Sequence, residues 1–181
     1  MNLEERFDII LKKIWFDALD NKLFENHKSK IFKMYKKHIN FRTKFAEPMD
    51  FWGNQSKKTI FSHFLKNSKN LLSSLKKNGF IEEFAIPINE KGKLLNGAHR
   101  FSAAISLGIE PKFIKKKNPE YAKWDLDWFL INGFTHEEIG YLISEYKESL
   151  GSKDKLKIFI IWNHKLKPYF KSFCDNEAID S

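Results

Sequence analysis

Cysteine is almost missing from this chain of 181 residues: Cys174, near the C-terminus, stands alone. One thiol cannot build a disulfide framework, which points to a reducing compartment, and no Cys/His spacing supports a structural zinc site. Long apolar runs are missing too. No stretch approaches the roughly 20 residues that span a bilayer, and the N-terminus lacks the basic-then-apolar layout of a signal peptide. The expected location is the cytoplasm. Glycine, eight residues in all, nowhere assembles a Walker-type loop or a dinucleotide-binding fingerprint, and no serine sits in a nucleophile elbow.

What the chain does have is core-forming material and positive charge. Hydrophobic residues make up 42% and aromatics 15%, with 18 Phe, enough for one globular unit over residues 1–181. Its expected parts are a helical extension (1–38), a core (39–117) and a helical C-terminal part with one strand (118–181). The net charge of +9 suits nucleic acid, an anionic membrane surface, or phosphorylated and acidic small molecules. The lysines are scattered rather than striped, and no nucleic-acid recognition module is visible. A phosphorylated or anionic small molecule is therefore the expected partner, with nucleic acid kept open.

Residues 2–20 place Leu3, Phe7, Ile10, Leu11, Ile14, Trp15 and Leu19 on one face, predicting an amphipathic helix. A second helix is expected over Lys30–His38. The stretch Asn40–Thr59 lacks clean periodicity, interleaves polar and aromatic residues and is punctuated by Pro48 and Gly53. Long irregular segments in compact domains are frequently functional, which singles out Arg42, Lys44, Glu47, Lys57 and Lys58; the alternative is a surface loop with ordinary ion pairs. Ser56 or Thr59 can cap a helix through Leu65, Asn67-Ser68 should break or bend it, and Leu71–Lys77 should form the next helix, closed by Asn78-Gly79. Toward the C-terminus, Asn118-Pro119 should open a helix ending at Asn132-Gly133. Thr135-His-Glu-Glu138 reads as a capping box for a helix to about Leu150, and Leu156–Trp162 as a buried strand. Asp125 and Asp127 fall on different sides of their helix, so no metal pair is assigned.

The most suggestive stretch is Phe84–Gly108. Phe84–Ile88 and Leu94-Leu95 flank the turn tetrad Asn89-Glu-Lys-Gly92, predicting a β-hairpin. Gly97 then relaxes the backbone into a helix over Ala98–Leu107, stopped by Gly108, and Pro111–Lys115 reads as a strand returning to the sheet. Backbone N–H groups at such a helix start, with Asn96, His99 and Arg100 beside them, outline an anion site. A His-Arg pair in a first helical turn also suits a merely solvated face.

The segment Ile86-Pro-Ile-Asn, then Gly92-Lys-Leu-Leu-Asn-Gly-Ala-His-Arg-Phe-Ser-Ala-Ala-Ile-Ser-Leu-Gly108, resembles the core of the ParB/sulfiredoxin-like superfamily. The helix Leu71–Phe80 resembles the one before that hairpin, so the likeness covers about residues 68–115. It implies an α+β fold: a small mixed sheet wrapped by helices, with helical extensions at both ends. The superfamily holds CTP-binding partition proteins, sulfinic acid reductases and small-molecule kinases, so fold alone does not fix activity. The reductases need a cysteine where this chain has Ala98, which excludes their chemistry. The partition proteins carry Gly-Glu-Arg-Arg in place of Gly97-Ala98-His99-Arg100. The kinases' Asp-Gly-His-His-Arg is nearer to Asn96-Gly97-Ala98-His99-Arg100, although Asn96 and Ala98 depart from it and weaken the transfer of mechanism. This branch implies a phosphotransferase using ATP or ADP with Mg²⁺. Asn96, Gly97, Ala98, His99 and Arg100 would hold phosphate, with His99 and Arg100 also neutralising charge during transfer. Glu47 would be the base, and Arg42, Lys44, Lys57 and Lys58 would orient the substrate. The block His38–Phe80 is also similar to small domains encoded among bacterial capsule and surface-polysaccharide genes. The alternative is a non-catalytic module binding a nucleotide, nucleic acid or partner protein.

Overall fold

The computed structural model describes residues 6–45, 47–49, 55–117 and 124–148. The side chains of residues 46–58 and 148 are outside that description. Helices and two small two-stranded sheets give an α+β architecture. The chain divides into two compact units, Met1–Phe129 and Leu130–Ser181.

The first unit is built around helix α1, Asp8–Leu19. The helix opens at Asp8, after Phe7 at the N-cap position, later than the start expected near residue 2; its apolar positions from Ile10 on form the expected stripe, yet every residue from Asp8 to Ala18 is buried. Three helices pack on it: α2 (Glu25–Thr43), α3 (Phe61–Asn78) and α4 (Ala98–Leu107). A helix enclosed this way must neutralise its polar side, because a buried charge is costly unless paired. Arg6 Nε and Nη2 reach Asp8 Oδ1 and Oδ2 at 2.8 and 3.0 Å, and Lys12 Nζ bonds the same carboxylate. One turn further, Lys13 Nζ donates to Asp17 Oδ2 at 2.7 Å, and the Ser106 hydroxyl of α4 donates to Asp17 Oδ1 at 2.6 Å. Burial alone would raise the Asp8 carboxyl; Lys12 and Arg6 outweigh it and hold the carboxyl well below the usual range.

α2 is longer than the expected Lys30–His38 at both ends. Its Tyr35 stacks on Trp15 of α1, ring centroids 4.1 Å apart and planes 11° apart. Within Asn40–Thr59 the chain forms an antiparallel pair, β1 (Glu47–Met49) and β2 (Gln55–Lys58), with Glu47 opposite Lys58. Asn67-Ser68 does not break the next helix. α3 runs unbroken, with Phe64, Ser68, Leu72 and Leu75 on its buried stripe, and Gly79 at φ +66° ends it. The buried hydroxyl at position 68 accepts a hydrogen bond from Trp15 Nε1 at 3.1 Å, so it costs the core little. No side-chain cap opens α3; Ile60 holds the N-cap position.

The hairpin forms in a shortened version. Strand β3 is Ile86–Ile88, and the returning arm contributes a single antiparallel bridge, Leu94 to Ile88. Asn89 organises the turn: its Oδ1 accepts from Lys91 N and Lys93 N at 3.0 and 2.8 Å. The principal partner of β3 is β4 (Phe113–Lys115), which lies parallel to it with Ile86 opposite Phe113. Parallel strands need a long crossover, and α4 supplies it. Ile9, Ile86, Leu94 and Ala98 close the core beneath this sheet, with Phe80, Phe101 and Ile105 around them.

A short helix, α5 (Leu126–Ile131), straddles the boundary between the units. In the second unit Thr135 and Glu138 form the capping box: Glu138 N donates to Thr135 Oγ1 at 3.1 Å and Thr135 N to Glu138 Oε2 at 2.9 Å. It opens α6, His136–Glu148, along which Ile139, Leu142, Ile143 and Tyr146 are buried at helical spacing. The helix start expected at Asn118-Pro119, the end of α6 near Leu150 and the strand expected over Leu156–Trp162 lie outside the described residues. Among the described residues, no helix is long and apolar enough to cross a membrane.

Candidate functional site

α4 starts on a left-handed glycine. Gly97 has φ +83°, and a Cβ there would stand 3.2 Å from Ile86 Cγ2 and 3.3 Å from Arg100 Nη2. Only glycine fits both the backbone and the space. No side chain caps the helix from the Gly97 position, but the Gly97 N–H is already taken by Asn96 Oδ1 at 2.6 Å. Asn96 thus serves the backbone rather than facing outward with a vacant carbonyl. Ala98 is buried in the core with Ile9 and Ile86.

His99 and Arg100 part company here. Successive helix residues point about 100° apart, and Leu71 of α3 stands between the two directions, lining a cleft on either side. His99 faces a cleft of about 170 Å³ with Tyr35, Phe64, Asn67, Ser68 and Leu71. Its Nε2 and the Tyr35 hydroxyl share a hydrogen bond at 2.6 Å, whose direction follows the imidazole tautomer. The cleft is rigid on this side, because Tyr35 is stacked on Trp15 and Trp15 is bonded to Ser68. Phe16 meets the His99 ring edge-on at 6.4 Å. Arg100 turns the other way, into a cleft of about 250 Å³, where its Nη1 donates to the Phe84 carbonyl. Burial alone lowers its pKa from the ordinary value.

The remaining candidates lie apart from α4 in sequence. Arg42 is in the last turn of α2, and Lys44 caps that helix in a left-handed conformation at φ +49°. Glu47 sits on β1, and Lys57 and Lys58 on β2, which packs beside α3. The structure therefore brings Glu47 and Lys58 together as cross-strand partners, and it separates His99 from Arg100. Tyr35, Asn67 and Ser68 are cleft residues that sequence reasoning missed. One signal was available: Ser68 is a polar residue at a core position of an amphipathic helix.

Among the described residues no group of three or more His, Cys, Asp or Glu is placed to hold a metal ion. The cleft's imidazole, phenol and carboxamide suit the oxygens of one phosphoryl group, and its volume suits that group rather than a whole nucleotide. Comparison with known proteins finds no matching family model, no matching curated protein and no matching solved structure.

Proposed function

We propose that the chain is a nucleotide-dependent small-molecule phosphotransferase of ParB/sulfiredoxin-like architecture, acting in the cytoplasm and in bacterial surface-polysaccharide synthesis. The order β3, turn, bridge, α4, β4 supports the fold assignment, since it follows the strand, hairpin and helix order of that superfamily. The observation that carries the function is the hydrogen-bonded His99–Tyr35 pair in a cleft at the start of α4. A helix start favours negative charge, and fixed donors aimed at a phosphoryl group stabilise charge spread over its oxygens without reorganising. The His99–Tyr35 pair would donate to those oxygens through the one proton that its shared hydrogen bond leaves free, and Asn67 would orient them. ATP or ADP would supply the phosphoryl group and carry Mg²⁺ on its own phosphates. Glu47 would be the base, with Arg42, Lys44, Lys57 and Lys58 drawing in the anionic substrate. Arg100, facing the other cleft, is given no part in transfer.

Asn96, a neutral amide bonded to the Gly97 N–H where the similar kinases carry an aspartate, favours a second reading, a non-catalytic nucleotide-binding module. Incubating the purified chain with ATP or ADP, Mg²⁺ and a panel of sugars and hydroxy acids tests both. Phosphorylated acceptor supports the transferase, and binding without turnover supports the module. Failure to bind any nucleoside di- or triphosphate removes both.

A further inference from the structure

The cleft on the Arg100 side of Leu71 has a different chemistry from its neighbour. Its walls are Leu71, Leu75, Phe80, Ile81 and Phe84, and Arg100 is its one charged lining residue. At the mouth, Ile81 and Phe84 are 37% and 53% exposed, which leaves large apolar side chains facing solvent beside the opening. The Arg100 guanidinium bonds the Phe84 carbonyl, and no carboxylate pairs with it among the described residues. Glu82 in the adjoining turn pairs with Lys112 at 3.5 Å. A guanidinium has five N–H donors, so one bond to a carbonyl leaves a pair for a second acceptor. A carboxylate matches that fork bidentately, and one cation neutralises one monoanion. A phosphate dianion would remain undercompensated against apolar walls. The volume of about 250 Å³ lies just below the range of drug-sized sites, about 300–1,000 Å³.

We propose that this cleft binds a small monocarboxylic acid with an apolar tail, the carboxylate on Arg100 and the tail between Leu75, Phe80 and Phe84. The site is separate from the His99 cleft and does not depend on the phosphotransferase reading. Each methylene buried should tighten binding about fourfold, so octanoate should bind on the order of a hundredfold more tightly than butyrate. Removing the charge from the ligand or from the protein should weaken binding about tenfold or more.

Calorimetric titration of the full chain with butyrate, hexanoate, octanoate and octanol tests this, on wild type, Arg100→Gln and Ser74→Trp, with circular dichroism as a check on folding. Ser74 lines the cleft from an exposed position on α3, so tryptophan there fills the cleft without entering the core. The expected result is affinity rising with chain length, octanol much weaker than octanoate, and octanoate binding weakened in Arg100→Gln and abolished in Ser74→Trp. Should Arg100→Gln fail to fold, octanol and Ser74→Trp decide. Absent binding of octanoate at millimolar concentration, equal affinity for butyrate and octanoate, equal affinity for octanol, or unchanged binding in a folded variant would overturn the proposal.

Discussion

Replacing Asp8 with alanine leaves two cations, Arg6 and Lys12, buried without the carboxylate that both contact. Asp8 is fully buried, and Arg6 and Lys12 expose no more than 6% of their side chains, so water cannot take over the lost interactions. Removing one partner of a buried ion pair costs about 3–5 kcal/mol, and a carboxylate serving two cations belongs at the upper end of that range. Set against a total stability of about 5–15 kcal/mol, that is a large fraction. With a urea slope of about 2 kcal/mol per molar, the unfolding midpoint should fall by about 2 M. The same mechanism predicts that Asp8→Leu combined with Lys12→Leu loses less than the sum of the single changes, because the pair leaves together. Urea unfolding followed by tryptophan fluorescence measures all of these. A loss below about 1 kcal/mol for Asp8→Ala would show a screened surface pair and refute the placement of α1 at the centre of the fold.

Two further outcomes follow from the same core. His38 of α2 is fully buried against Trp124, Trp128 and Phe129, with neither ring nitrogen hydrogen-bonded among the described residues. Burial, then Lys12, Arg42 and Arg6, hold its pKa well below 6.5 against the opposing effect of Asp8. A depressed folded pKa means that the unfolded chain takes the proton first, so stability should fall as pH drops below about 6.5, by about 1.4 kcal/mol per pH unit. His38→Phe should flatten that dependence between pH 5 and 6.5, read by urea midpoints at several pH values. Gly97→Ala should cost about 1–3 kcal/mol, since alanine is strained at positive φ and its methyl crowds Ile86; a thermal melt unchanged from wild type would contradict the tight corner.

The parts legible in the sequence were those fixed by local chemistry. Asn89 and Gly92 mark the turn, Gly108 the end of α4, and Thr135 with Glu138 the start of α6. Each acts through its own neighbours within a few residues. The misread parts depend on contacts distant in sequence. Asp8, Lys12, Lys13 and Asp17 look like the solvated face of an amphipathic helix until α4 brings Ser102 and Ser106 against α1 and encloses it. Asn67-Ser68 looks like a break because short polar residues compete with helical hydrogen bonds; Trp15, 53 positions away, gives Ser68 a partner inside the helix. His99 and Arg100 look like one constellation because they are adjacent, and the helical rotation that separates them acts only once α3 places Leu71 between them. Tyr35 belongs to a helix that carried no chemistry in the sequence and reaches the site only by stacking on Trp15.

The most direct test of the proposed phosphoryl site is the imidazole ¹⁵N spectrum of His99, assigned by comparison with His99→Asn, during titration with ATP and Mg²⁺. The His99 resonances should shift to saturation, and Tyr35→Phe should weaken the binding about tenfold. Resonances unmoved by millimolar nucleotide, or equal nucleotide affinity in His99→Asn, would contradict the phosphoryl site.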